Sequence, residues 1–270
     1  MVADMVRIIS ELHWAPRVRH PFFTSNRPLV FAHRGGAALA PENTLAAFEN
    51  GVALGADGIE LDVRASRDGR VVVHHDETLD RTTPLRGPLS ARTSDELARA
   101  GVPELSRVLH RCPDVRVIVE IKLNQPEFGR LVVAELRKAR SIDRACVGGF
   151  GHTVLKAVRT EEPSLATSAA KEEVRLALYR SWIRWPVTHT TYSGYQVPEK
   201  RGTTRIVSPA FVAGAHRDGL GVQVWTVNDE QDARRLLGWG VDALITDRPD
   251  VMVPLVREWA GRERPGAIDA

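Results

Sequence analysis

Between Leu29 and Thr83 the chain sets two histidines, an arginine and two alternating carboxylates at the ends of short apolar runs. In Ile59-Glu60-Leu61-Asp62-Val63 the acids are two residues apart, so on a strand both carboxylates face one side and the aliphatics the other. Two carboxylates confined together repel and call for a cation, and all-oxygen ligation suits Mg²⁺ or Ca²⁺ better than zinc. The alternative is a pair of solvated strand-end charges. Glu120 and Lys122 in Val117-Ile118-Val119-Glu120-Ile121-Lys122 repeat the alternation, and taken alone they describe a simple cross-strand ion pair. His33-Arg34 follows an apolar run and meets Gly35-Gly36, which lets backbone come close to a ligand. Arg34 offers a two-pronged donor for phosphate oxygens, and His33, with an ordinary pKa of about 6.5, can take a proton at neutral pH. His74 and His75 are neighbours and on a strand point to opposite faces; Val71 and Val73 are both apolar, so alternation does not choose between them. The set suits acid–base chemistry on an anionic substrate.

The elements that must position these residues are short apolar runs alternating with helical patterns. The runs are Leu29 to His33, Gly58 to Val63, Val117 to Ile121, Ala145 to Gly149, Leu165 to Ser168, Gly194 to Val197, Gly221 to Thr226 and Ala243 to Thr246. Helical patterns cover Asn43 to Leu54, Pro126 to Ala139, Thr153 to Thr160, Glu172 to Trp182, Pro209 to Arg217, Glu230 to Gly238 and Val251 to Trp259. Eight strands, most followed by a helix, predict an α/β fold, a (β/α)₈ TIM barrel, for which about 250 residues suffice. Asn43 and Asn228 are placed to cap helices, and Pro209 to start one. Glu42 is left as a partner of the pocket. Arg64 to Val102 is far longer than an ordinary βα loop and reads as an insertion after the second strand, with Val71-Val72-Val73-His74 a short extra strand behind the Arg67-Asp68-Gly69 turn. Such loops lie at the C-terminal mouth of a barrel, where active sites are built. The segment from Trp182 to Thr204, with Trp182, Trp185, Tyr192 and Tyr195, either rims the pocket or covers the barrel wall.

In order along the chain, His33-Arg34-Gly35, Pro41-Glu42-Asn43-Thr44, Glu60-Leu61-Asp62, Val73-His74-His75-Asp76, Glu120-Ile121-Lys122, Trp225-Thr226-Val227-Asn228 and Thr246-Asp247-Arg248-Pro249 resemble the glycerophosphodiester phosphodiesterase family, over about Leu29 to Asp250. Ser66-Arg67-Asp68-Gly69 departs from that family's T-K-D-G only in a turn. The resemblance implies metal-dependent hydrolysis of glycerophosphodiesters, such as glycerophosphocholine or glycerophosphoethanolamine, to glycerol 3-phosphate and an alcohol. It makes Glu120 the third metal ligand beside Glu60 and Asp62, with Mg²⁺ or Ca²⁺ as cofactor. Arg34 becomes a phosphate contact, Lys122 a phosphate contact or a tuner of the metal site, and His75 rather than His74 the catalytic partner of His33. Trp225 is then an apolar wall against the substrate, with barrel-core packing as its alternative. Two rival functions are a phospholipase D-like hydrolysis of lysophospholipids, and a non-catalytic phosphodiester-binding barrel. The second is disfavoured because all three acids and both histidines are present.

Composition bounds the rest. Hydrophobic residues at 43% and charged residues at 26% are globular values, and no apolar run approaches the roughly 18 residues that span a bilayer. The net charge of +3 is small and its cations, 32 arginines and five lysines, are scattered, which argues against nucleic acid as a partner. Cys112 and Cys146 lack metal or redox spacing and read as buried, reduced thiols. No signal peptide is evident, so the expectation is a soluble, cytoplasmic protein without stable membrane insertion and with a small-molecule partner. Residues 1–27 are expected to form an extension whose Val6, Ile9, Leu12 and His13 have helical spacing, 28–260 the barrel and 261–270 a tail.

Overall fold

The computed structural model describes residues 18–182 and 190–262. The expected N-terminal helix, Trp185 and most of the C-terminal tail lie outside the described residues. Strands run in the order β1 (Leu29–His33), β2 (Gly58–Ala65), β3 (Val71–Val73), β4 (Arg116–Ile121), β5 (Ala145–Gly149), β6 (Ala166–Thr167), β7 (Gly194–Pro198), β8 (Lys200–Arg201), β9 (Thr204–Arg205), β10 (Gly221–Trp225) and β11 (Ala243–Thr246). Eight of them form the barrel sheet in the order β6-β5-β4-β2-β1-β11-β10-β7, all parallel. One parallel bridge, Ser168 to Gly194, brings β6 to β7, supported by Ser193 N–H on Thr167 O at 2.8 Å and Ala169 N–H on Gly194 O at 2.9 Å. The (β/α)₈ barrel expected from the sequence is therefore the fold, with β3 hairpinned against the far end of β2.

Helices α1 (Leu45–Ala53), α2 (Ser94–Arg99), α3 (Leu105–Arg111), α4 (Pro126–Lys138), α5 (His152–Glu161), α6 (Lys171–Trp182), α7 (Pro209–Arg217), α8 (Glu230–Gly238) and α9 (Pro249–Arg262) surround it. They form where an apolar stripe meets a start signal. α4 opens on Pro126 and buries Phe128, Val132, Val133 and Leu136 along one face. α2 and α3, absent from the sequence expectations, lie in and just after the insertion; α2 starts on a reciprocal capping box between Thr93 and Glu96, a signal present in the sequence. The insertion has its own small core of Val72, Leu79, Leu89, Leu97 and Val102.

Strand alternation sorts the side chains as the sequence reading expected. Ile59, Leu61 and Val63 pack outward with Phe48, Leu105 and Val119 beneath the helices. Inside the barrel, Leu29, Phe31, Ile118, Cys146 and Ala243 form a dry lower layer, and Phe22 and Phe23 join it from the segment before β1. Gly221 makes room for this plug, since a Cβ there would lie 2.3 Å from the Phe23 ring. Polar and charged side chains occupy the upper layer, at the C-terminal ends of the strands. Tyr192 and Tyr195 are buried, their hydroxyls 3.0 Å apart, and Tyr195 packs on Phe211; these two aromatics cover the barrel wall. Both cysteines are free and buried, and burial pushes both thiols up.

Candidate active site

Three adjacent strands supply the acids and the first histidine. Parallel pairing sets His33 of β1 beside Glu60 of β2, and Asp62 of β2 beside Glu120 of β4, all on inward positions. Glu60, Asp62 and Glu120 each present an oxygen within 4.8 Å of the others. Glu60 and Asp62 are only 4% and 1% exposed, so their charges are cut off from water. Lys122, the next inward residue after Glu120, hydrogen-bonds to Glu120 Oε1 and lies 2.7 Å from Asp62 Oδ1. The chain turns sharply after β1: Arg34 has φ 51°, and Gly35, at φ 89°, comes so close to α1 that a Cβ would lie 2.6 Å from Ala47 backbone. This turn aims the Arg34 N–H at Glu60 Oε2, 3.0 Å away. The Arg34 guanidinium reaches Glu42 Oε1 at 3.1 Å, while its Nε lies 3.2 Å from Asp62 Oδ2 without the N–H pointing at it.

Burial, and then repulsion from Asp62 and Glu120, pushes the Glu60 carboxyl up to about 8. For Asp62 burial acts the same way, but Lys122, Arg34 and the Asn43 amide outweigh it and hold the carboxyl below its ordinary range. Burial would lower Lys122, yet Glu120 and Asp62 raise it, so the ammonium stays charged.

Both histidines of the expected pair are held by a carboxylate at Nδ1. His33 Nδ1 lies 2.7 Å from Asp247 Oδ1 and its Nε2 3.8 Å from Glu60 Oε2. Burial disfavours the imidazolium, but Glu60 and Asp247 prevail and raise its pKa above 6.5. His75 Nδ1 lies 2.6 Å from Asp76 Oδ1, leaving Nε2 for a ligand. Asp76 is fixed by Arg81, and Arg81 in turn by Glu42, so Arg34, Glu42, Arg81 and Asp76 form a chain of alternating charges along the mouth that ends on the His75 ring. His74 instead is buried in the insertion with Nε2 3.1 Å from Thr78 O, and burial lowers its pKa.

All eight residues singled out from the sequence, His33, Arg34, Glu60, Asp62, His75, Glu120, Lys122 and Trp225, line one cleft of about 110 Å³. Trp225 also touches the apolar cluster inside the barrel. Two capping expectations are corrected. Asn43 is buried with φ 59° and donates its amide to Asp62 Oδ2 at 2.8 Å, while Thr44 caps α1. Asn228 donates to Asp247 Oδ2 at 2.8 Å and accepts the Asp247 N–H, while Asp229 caps α8. In each case the neighbouring residue was chemically able to cap, which frees the asparagine to fix a carboxylate of the site. Sequence reasoning gave no role to Asp247, Gln196 or Phe150. The Thr-Asp-x-Pro after the last strand pointed toward Asp247, inward parity on β7 toward Gln196, and nothing toward Phe150.

The sequence pattern of the Glycerophosphoryl diester phosphodiesterase family matches residues 33–251. A glycerophosphodiester phosphodiesterase of Caldanaerobacter subterraneus is 31% identical over 86% of this chain and 99% of its own length. One from Bacillus altitudinis is also 31% identical, over 85% and 98%. Among solved structures, a glycerophosphodiester phosphodiesterase from Agrobacterium tumefaciens superposes with TM-score 0.69 at 28% identity, covering 84% of this chain and 99% of that one. An Oleispira antarctica phosphodiesterase in complex with the product sn-glycerol-3-phosphate gives TM-score 0.70 at 25% identity, covering 86% and 97%. Fold and site define a phosphoric diester hydrolase. The chain belongs to the glycerophosphoryl diester phosphodiesterase family. No helix among the described residues is long and apolar enough to cross a membrane.

Proposed function

We propose that this enzyme hydrolyses glycerophosphodiesters to glycerol 3-phosphate and an alcohol, using a divalent cation held by Glu60, Asp62 and Glu120. The observation that carries this reading is the convergence of the three carboxylates in a cleft also lined by two carboxylate-held histidines. The donor set fits a hard cation: all ligand atoms are oxygens, two of the acids are almost wholly buried, and Glu60 retains its proton to about pH 8 when nothing else neutralises it. When bound, Mg²⁺ or Ca²⁺ neutralises a phosphate oxygen and draws electron density from phosphorus.

The chain's own residues supply the rest. Arg34 and Lys122 flank the acids and offer charge to the remaining phosphate oxygens. His33 and His75 divide the proton work: one takes the proton of the attacking water, and the other gives a proton to the departing alkoxide as its P–O bond breaks. Asp247 and Asp76 keep the two rings in the tautomer that offers Nε2. Trp225 forms the apolar side of the cleft. The test is glycerol 3-phosphate release from glycerophosphocholine and glycerophosphoethanolamine, in chelator-treated protein and after adding back Mg²⁺ or Ca²⁺. Restored turnover is expected, and full activity in metal-free protein would overturn the site as drawn.

A further inference from the structure

Next to the acidic cleft lies a larger chamber of about 500 Å³ that shares Glu120, Phe150, Gln196 and Trp225 with it. Phe150, Val174 and Ile206 add apolar wall, and the rim carries Lys171, Lys200 and Arg201. Glu120 is the only carboxylate lining the chamber among the described residues, and Lys122 engages it. The three rim cations have no carboxylate partner among the described residues, in a chain where most buried and many exposed arginines are paired. Of only five lysines, Lys122, Lys171 and Lys200 line these two adjoining spaces.

All three cations are exposed, and what sets them apart is their gathering on one rim of the chamber. Lys200 and Arg201 form one arm of the β8–β9 hairpin, paired with Arg205 and Thr204. The hairpin is anchored at its base, where Glu199 pairs with Arg205 at 3.1 Å and Arg235 at 2.6 Å, and Ile206 N–H bonds Glu199 O at 2.8 Å. Both arginines lie against Trp239, so the arm is held over the chamber. Lys171 is the first residue of α6, where the helix already presents positive charge and an acidic side chain is the stabilising choice. Glu172 and Glu173 follow it, but Glu173 is tied to Arg159 and the Ala170 N–H.

We infer that the alcohol arm of the substrate is acidic, with a carbon body lying on the Phe150 and Val174 wall and an anionic group reaching Lys171, Lys200 and Arg201. This inference rests on the proposed diester hydrolysis. With the scissile phosphate at the acidic cleft, the adjoining chamber is open to one arm of the diester. Glycerol is uncharged and has no use for three unpaired cations, whereas a second phosphate on the alcohol does. A cationic arm such as choline meets repulsion instead. In the reaction the oxygen of water bonds to phosphorus, the bond from phosphorus to the arm's oxygen breaks, and that oxygen leaves with a proton.

The experiment compares glycerol 3-phosphate release from three diesters: glycerophosphocholine, glycerophosphoglycerol, and the double diester in which two glycerophosphates share a central glycerol. At low salt the double diester is expected to exceed glycerophosphocholine in kcat/KM by about 10-fold, the order expected of charges lying within a Debye length, and the ratio should shrink as salt rises. In Lys200→Glu/Arg201→Glu the ratio should fall to about 1 or invert. The salt dependence of the parent enzyme gives an independent reading if the variant does not fold. Turnover of all three diesters at similar kcat/KM overturns the inference and leaves diester hydrolysis standing. Faster turnover of a lysophospholipid than of the double diester also overturns it, in favour of an acyl chain in the chamber. Absence of turnover on every diester with metal present overturns both.

Discussion

Replacing Glu60 by Gln separates the electrostatic cost of the acidic cleft from its use. Glu60 is 4% exposed, and burial followed by repulsion from Asp62 lifts its carboxyl from 4.5 to about 8. At pH below 4.5 the folded and unfolded chains both hold the proton, and the site costs nothing. As pH rises the unfolded chain ionises first, so stability falls until the folded carboxyl also ionises near pH 8; above that the loss is constant. At about 1.4 kcal/mol per pH unit, the gap between 4.5 and about 8 is worth about 5 kcal/mol in metal-free protein. Glutamine is neutral throughout and keeps an oxygen for the Arg34 N–H. The variant should match the parent near pH 4.5 and exceed it at pH 9, by about 10–20 °C in melting midpoint for a chain of this size. Mg²⁺ or Ca²⁺ at about 100 times its dissociation constant should return about 2.7 kcal/mol to the parent at pH 8 and much less to the variant. Melting of chelator-treated proteins at pH 4.5, 7 and 9, with and without metal, decides the matter. A parent-to-variant difference independent of pH would refute the electrostatic account, and equal stabilisation of both by metal would remove Glu60 from the ligand set.

Four further substitutions probe the histidines and the lysine. His75→Ala should lower kcat by about 10²–10⁴, whereas His74→Ala should leave kcat nearly intact and cost about 1–3 kcal/mol of stability through the orphaned Thr78 carbonyl; the reverse pattern in kinetics and melting would mean the roles are exchanged. Asp247→Asn removes a carboxylate that raises the His33 pKa, so the limb of the kcat/KM–pH profile set by His33 should move to lower pH; an unmoved limb would show that His33 does not titrate in the reaction. Lys122→Met leaves Asp62, 1% exposed, with Arg34 as its remaining cation, which should cost up to about 3–5 kcal/mol in chelated protein. Metal should recover the melting midpoint but not kcat/KM, and unchanged melting of the chelated variant would contradict the pairing.

The sequence by itself determined the scaffold and the inward face of the site. Strand-length apolar runs with period-two alternation suffice to place Glu60, Asp62, Glu120 and Lys122 on one side, because alternation is a local property of extended backbone. β1, β5 and β11 run over the residues expected, since each is a short apolar run that helical periodicity cannot fit. Where local chemistry allowed two answers, tertiary structure chose. Asn43 and Thr44 can both satisfy helix N–H groups, and only the nearby Asp62 carboxylate assigns the asparagine elsewhere. His74 and His75 lie just past the end of β3 at Val73, where strand alternation no longer governs direction, and the packing of the insertion buries one and turns the other to the cleft. Asp247 reaches His33 across 214 residues of chain only because the closing barrel lays β11 beside β1. The same closure sets the β8–β9 hairpin and α6 on one rim, placing Lys171, Lys200 and Arg201 around a common chamber, a convergence of residues up to thirty positions apart that no sequence period encodes.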